Sequence, residues 1–312
     1  MERFFVLIPD DLPGSSVQML EAAGLDVLFD PTLTPEQIEE KISAASGLIV
    51  RSRVKVTAAM LDKAPRLRAI VRSGAGVDNI DLKAAKKRGI TVMNVPGANA
   101  ISVAELVFGM ALALLRHLVE ATDSMRAGKW EKSRFKGHEL YGKTMGVIGY
   151  GRIGREVAAR AHAFGMNVLF ADPYVQDIRE PGVKKVDLEH LLRKADVLTL
   201  HVPIGPETRH LIGAKELSLC KPNAVLINCS RGGVVDEAAL LEALRSRRLG
   251  GAGLDVYETE PPGKTELLQL PNVVATPHIG ASTAEAQERT AHLAARQLIE
   301  FLLEGKATNV VV

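Results

Sequence analysis

The chain has 312 residues, more than one ordinary domain, with 46% hydrophobic and 24% charged residues and a formal net charge of +2. This is the balance of a soluble globular protein, and it offers no strong field for nucleic acid or a membrane surface. Its two cysteines, Cys220 and Cys229, have no paired spacing, which argues against a disulfide framework or a zinc site and fits a reducing, cytoplasmic compartment.

The N-terminal "FFVLIP" (4–9) is too short for a signal peptide and reads as a strand. Further strands follow at 26–29, 47–52, 67–73 and 91–95, and a helix over 35–45 has proline at its start. Several of these strands are apolar almost throughout, as expected where both faces are covered. A long Ala-, Leu- and Met-rich helical pattern spans 102–126. It is apolar around much of its circumference, which predicts burial, with subunit contacts as the candidate cause. Its longest apolar stretch, 106–115, is too short to span a bilayer. Six more strands are expected at 145–150, 167–172, 197–202, 224–230, 251–257 and 272–277. An amphipathic helix covers 283–304, and "ATNVVV" reads as a closing strand. Strands alternating with helices predict an α/β protein with parallel, doubly wound sheets.

In "MGVIGYGRIGREVAARAHAFGMNVLFADPY", Gly149, Gly151 and Gly154 form G-x-G-x-x-G between an apolar strand and a helix. A lone instance of that pattern is weak, but here a second strand ends in Asp172 at a suitable distance. Gly149 permits the tight turn, Gly151 lets backbone approach a pyrophosphate, and Gly154 lets helix and strand pack closely. The helix N-terminus supplies free N–H groups to phosphates. Asp172 suits the ribose hydroxyls and repels a 2′-phosphate, so NAD is expected over NADP. Another α/β unit precedes this one. The expected architecture is a Rossmann NAD-binding domain (98–285) inserted in a flavodoxin-like substrate domain (1–97 and 286–312), with a cleft between them.

Three later segments each put a charged or ionisable side chain just past a strand, where ligands bind in open α/β sheets. They are Arg231 in "NCSRGG", Glu260 in "DVYETEPP" and His278 in "TPHIGAS". Read alone, His278 is an ordinary structural histidine. A His–carboxylate pair suits acid/base work, and a guanidinium can grip a carboxylate. Beside a nicotinamide, these parts describe hydride transfer to or from a 2-hydroxy acid. The remaining histidines, His201 at a strand end among them, read as structural.

With these segments and "VRSGAGVDNIDLKAAKKRGITVMNVPGANAISVAELVFGMALALLR", the chain resembles the D-isomer-specific 2-hydroxyacid dehydrogenases along nearly all its length. It is most similar to those that oxidise D-3-phosphoglycerate to 3-phosphohydroxypyruvate, the first step of serine synthesis. The resemblance implies catalytic roles for His278 as proton donor and acceptor, Glu260 as its partner and Arg231 as substrate anchor. It implies further cofactor contacts at Arg152, Ile153, Val202, Cys229, Ser230, Asp255, Gly280 and Ala281. A phosphorylated 2-hydroxy acid needs more than one cation. Arg51 and Arg53, two apart at a strand end, would share one face. Gly74, Ala75 and Gly76 would turn backbone amides towards the substrate carboxylate. Asn99 and Lys132 also match substrate-binding positions, the latter in a region that can reach a partner subunit.

A homodimer through 102–126 is expected, with a tetramer as the alternative, and no metal. A glyoxylate or hydroxypyruvate reductase would share fold and triad but need no phosphate ligands. An NAD(H)-sensing corepressor could share both without turnover. Larger relatives append a serine-sensing domain. With the sequence ending at Val312, no serine inhibition by that route is expected.

Overall fold

The computed structural model describes residues 4–176, 178 and 180–312, so the first residues of the N-terminal segment lie outside it. The chain divides into two compact units, Met1–Asn99 with Ser282–Val312, and Ala100–Ala281. The divisions thus fall at 99/100 and 281/282, against the 97/98 and 285/286 read from sequence.

Unit one holds a five-stranded parallel sheet of β1 (Phe5–Ile8), β2 (Asp26–Phe29), β3 (Gly47–Val50), β4 (Ala69–Arg72) and β5 (Thr91–Asn94), in the order β2-β1-β3-β4-β5. Alternate side chains enter two cores. Val6 and Ile8 pack with Ile49, Val71, Ala294 and Leu298 on one face, and Leu7 packs with Leu48, Ile70, Ile38 and Leu61 on the other. Two-sided burial explains why these strands read as continuous apolar runs. Each fully buried aliphatic side chain contributes about 1.5–3 kcal/mol. The helix Ala284–Glu304 belongs to this unit, and Thr283 caps its start by accepting from the Ala286 N–H. The C-terminal tail then pairs antiparallel with β5, Val311 N–H donating to Val92 O at 2.7 Å.

Unit two holds a seven-stranded parallel sheet of β6 (Thr144–Ile148), β7 (Asn167–Ala171), β8 (Val183–Lys185), β9 (Val197–Leu200), β10 (Val225–Asn228), β11 (Gly251–Leu254) and β12 (Val273–Ala275). Its order is β12-β11-β10-β9-β6-β7-β8. The chain runs outward from β6 to one edge, then restarts beside β6 and runs to the other. The short edge strand β8 was not expected from sequence, because two of its three residues are lysines.

The pattern over 102–126 forms two helices, Ala100–Leu115 and Leu118–Arg126, bent by 61°. His117 at the break has φ 52°, a left-handed backbone that neither glycine nor proline signals in the sequence. The first helix is core: Val103, Val107, Phe108, Met110 and Ala111 pack with Met145, Val147 and Val157. Among the described residues no single helix is long and apolar enough to cross a membrane.

Candidate active site

In unit two the strand order reverses between β6 and β9, and the glycine-rich turn follows β6 at that point. Gly149 has φ 91°, and a Cβ on it would lie 2.8 Å from the His201 carbonyl carbon and oxygen. A Cβ on Gly154 would lie 2.4 Å from Gly149 O, so helix and turn meet backbone to backbone. A Cβ on Gly151, the N-cap of the helix Arg152–Ala163, would meet nothing within 4 Å. Gly151 has no side chain with which to cap that helix, so its first-turn N–H groups suit an anionic ligand.

The turn opens on a cavity of about 1200 Å³ lined by Gly149, Gly151, Asp172, Tyr174, Val202 and Thr208, among others. The Asp172 carboxylate is fixed at the rim by three backbone donors, Tyr150 N at 2.8 Å, Tyr174 N at 2.8 Å and Val175 N at 3.2 Å. His201 also lines this cavity, with Nε2 2.9 Å from Thr199 Oγ1. Burial pulls its pKa down to about 3, so it stays neutral and moves no proton near pH 7. The Cys229 thiol is buried 3.9 Å from Met110 Sδ, and burial raises its pKa far enough to keep it protonated. Arg152 and Ile153 form the first helical turn, with Ile153 packed on the core.

The strands β10, β11 and β12 lie side by side, and past their carboxyl ends come Arg231, Glu260 and His278. Glu260 Oε2 is 2.8 Å from His278 Nδ1, and Glu260 Oε1 accepts from Tyr257 N at 3.2 Å. With Nδ1 committed to the carboxylate, proton exchange with any other molecule must use Nε2. The pair is 50% and 38% exposed, so solvent reaches it. Arg231 donates from Nη1 to Ser230 O at 2.7 Å, and Asn228 Nδ2 donates to Arg231 O at 3.0 Å. Ser230, expected at the cofactor, is buried and donates its hydroxyl to Asn228 Oδ1 at 2.8 Å. Asn228 thus shapes the Arg231 turn, a task that sequence reading did not assign to it.

Asp255 is 1% exposed, and its carboxylate is taken up by the segment that carries His278. Oδ1 accepts from Thr276 Oγ1 at 2.5 Å and Ile279 N at 2.7 Å, while Oδ2 accepts from Gly280 N at 2.8 Å. These bonds pinch residues 276–280 into a turn in which His278 has φ 54°. A non-glycine residue rarely adopts that backbone, and here the turn imposes it. Asp255 and Gly280, read as cofactor contacts, bond to each other, and Ala281 follows them.

In unit one the order reverses between β1 and β3, and Asp10, Arg51 and Arg53 lie beyond those strands. The structure corrects the expectation that the two arginines share a strand face, because β3 ends at Val50. The Arg53 Nε lies 3.2 Å from Asp10 Oδ1, and its guanidinium also donates to Pro9 O and to Leu33 O. Asp10 is 1% exposed and also accepts from Arg51 N at 2.5 Å. Arg53 therefore neutralises a buried carboxylate. The Arg51 guanidinium donates to Asp11 O at 3.0 Å. The Gly74, Ala75, Gly76 segment follows β4, with Gly74 at φ 152°. Arg72, not singled out from sequence, lies against Gly74 and donates to Ser73 O at 3.2 Å. Asn99 closes the first segment of this unit, whereas Lys132 is exposed in a 3-10 turn of unit two.

Residues 108–280 match the family model for the D-isomer specific 2-hydroxyacid dehydrogenase, NAD binding domain. The chain belongs to this family. It is 48% identical to D-3-phosphoglycerate dehydrogenase of Methanocaldococcus jannaschii, over 98% of this chain but 59% of that protein. The chain thus spans about three fifths of that relative's length. It is 46% identical to hydroxypyruvate reductase of Thermotoga maritima, over 93% of this chain and 95% of the relative. Among solved structures, the NAD+-bound 3-phosphoglycerate dehydrogenase of Entamoeba histolytica superposes with a TM-score of 0.84 at 29% identity, covering 100% and 99% of the two chains. In this member of the family, NAD fits the residues around the glycine turn. The open space at Gly151 and the uncapped helix suit a pyrophosphate, and the Asp172 carboxylate suits a ribose diol.

Proposed function

We propose that the protein is an NAD-dependent D-3-phosphoglycerate dehydrogenase, forming 3-phosphohydroxypyruvate in the first step of phosphorylated serine synthesis. The observation that carries this reading is the 2.8 Å contact between His278 Nδ1 and Glu260 Oε2 on the carboxyl rim of an NAD-binding sheet. Bound NAD supplies the hydride acceptor. His278 Nε2 takes the C2 hydroxyl proton, and Glu260 holds the ring and stabilises the imidazolium. The Arg231 guanidinium pairs with the substrate carboxylate. Unit one is the substrate-binding domain. Arg51, Arg53 and the amides of Gly74, Ala75 and Gly76 meet the anionic ends of the substrate, with Asn99 and Lys132 as further contacts. The 98–285 region read from sequence is the NAD-binding domain, with cofactor contacts as assigned there.

A homodimer, with a tetramer as the alternative, fits the exposed apolar Leu118, Val119, Met125 and Trp130. A cytoplasmic location fits the two buried free thiols.

A second reading, hydroxypyruvate reductase, is favoured by two observations. The Arg53 charge is committed to Asp10, and the Thermotoga maritima relative matches nearly end to end. The deciding experiment is NADH oxidation with 3-phosphohydroxypyruvate, hydroxypyruvate and glyoxylate. Preference for the phosphorylated acid supports the first reading, and preference for an unphosphorylated one replaces it with the second. NADH binding without turnover of any of them points to an NAD(H)-sensing regulator.

A further inference from the structure

We propose that Asn79 is a positioning residue for the anionic substrate: its side-chain amide holds the Arg51–Val54 turn against the segment that continues the Gly74–Val77 loop. The proposal rests on the reading of unit one as the substrate domain.

Beyond Val50 the chain leaves the sheet, and its carbonyls lose their ladder partners. Asn79 Nδ2 supplies two of the replacements, donating to Arg51 O at 2.8 Å and to Val54 O at 2.7 Å. Both amide hydrogens are used, one at each end of the turn. The backbone continues the link further on. Val56 N donates to Asn79 O at 2.8 Å, and Asp81 N donates to Val56 O at 2.9 Å. The glycine loop is pinned separately to β5, Asn94 Nδ2 donating to Ala75 O at 2.6 Å and Val95 N to Gly74 O at 2.8 Å. Asn79 therefore joins two loops from neighbouring strands whose cation and backbone amides must meet one ligand.

The side-chain chemistry is restrictive. Aspartate would turn carboxylate oxygens towards two carbonyl oxygens. Alanine would leave both carbonyls without their donor, and serine keeps one donor at most. Arg51 is the residue most affected, since its own carbonyl is one of the two acceptors and any shift there is carried to its guanidinium. Substrate capture should suffer before the chemical step does, because the His278–Glu260 pair is held by residues of unit two.

The test uses the 312-residue chain with Asn79→Ala, Asn79→Asp and Asn79→Ser. Steady-state kinetics with 3-phosphohydroxypyruvate and glyoxylate give KM and kcat, fluorescence titration gives NADH affinity, and a thermal melt reports folding. The expected result is a KM for the phosphorylated acid raised about tenfold in the alanine variant, more in the aspartate variant and less in the serine variant. In the same variants kcat stays within about threefold and NADH affinity within about twofold, the split that positioning of substrate alone produces. An unchanged KM in all three overturns the proposal. So does a parallel loss of KM, kcat and NADH affinity, or failure of all three to fold, because either makes Asn79 a general structural residue. If the unsubstituted chain turns over no 2-oxo acid, the function reading itself fails and the proposal falls with it. That control separates the two failures.

Discussion

The Asp255→Asn substitution probes how His278, the proposed acid/base, is aimed. The carboxylate accepts three hydrogen bonds, from Thr276 Oγ1, Ile279 N and Gly280 N, and is 1% exposed. An asparagine in the better of its two orientations keeps its oxygen on Thr276 and Ile279. Its NH2 group then faces the Gly280 N–H, donor against donor. One charge-assisted bond is lost, two become neutral, and a buried N–H is left unpaired. Hydrogen bonds to charged groups contribute about 1.5–3 kcal/mol and neutral ones about 1, so the variant should lose about 2–4 kcal/mol. Part of that loss appears as relaxation of the 276–280 turn, because the Gly280 end of the turn that holds φ 54° at His278 is then released. A displacement of about 1 Å at a reacting group costs about 100-fold in rate. The expected outcome is a kcat lowered about 100-fold, with a urea midpoint shifted to lower denaturant at unchanged slope. Wild-type kcat at an unchanged midpoint would refute the argument that Asp255 organises the turn.

Glu260→Gln keeps an acceptor for His278 Nδ1 but removes the charge, and should lower kcat about 10- to 100-fold in steady-state assays, with NADH affinity unchanged by titration. Arg53→Ala leaves the Asp10 carboxylate short of its partner and should cost about 1–2 kcal/mol in denaturant unfolding, an estimate discounted for the half-exposed arginine. Arg51→Ala should instead raise substrate KM by the larger factor in the same kinetic assay. Gly154→Ala would force a Cβ against Gly149 O and should lose about 1–3 kcal/mol, with NADH titration showing weakened binding. Leu118→Glu combined with Met125→Glu should halve the mass measured by light scattering if that apolar surface forms the dimer.

Local chemistry made much of the fold legible. The apolar strands β1 to β5 and the glycine turn after β6 are written in consecutive residues, because parallel strands bury both faces and a phosphate turn needs its glycines at fixed offsets. What depended on distant neighbours was not legible. The strand Val183–Lys185 is recognisable only beside β7, which lends its lysine-rich edge a ladder. The bend at His117 carries neither glycine nor proline. The pairing of Arg53 with Asp10 spans 43 positions, so nothing local to the arginine announces it. Asp255 showed the same limit. The resemblance names it as a cofactor contact, and its three donors, from a segment more than twenty residues on, could not be read from its neighbours.

The two sheets obey one rule and use it for different chemistry. Each reverses its strand order once, between β6 and β9 in one unit and between β1 and β3 in the other, and the reversal leaves a crevice at the carboxyl ends. In unit two that crevice is furnished by backbone: an uncapped helix start, a glycine turn and one carboxylate held by three N–H groups. Backbone groups are set by the fold, so the cofactor site follows from the motif. In unit one the crevice is furnished by guanidinium groups, whose availability depends on which carboxylates and carbonyls have already claimed them. Arg51 and Arg53 are near neighbours of the same residue type, yet the Arg53 guanidinium pairs with a buried aspartate while that of Arg51 donates to the Asp11 carbonyl. The charge that unit one can present is therefore set by the pairing of its guanidinium groups as well as by their number, and Asp10 and Asn79, neither a cation, fix the turn that carries two of them.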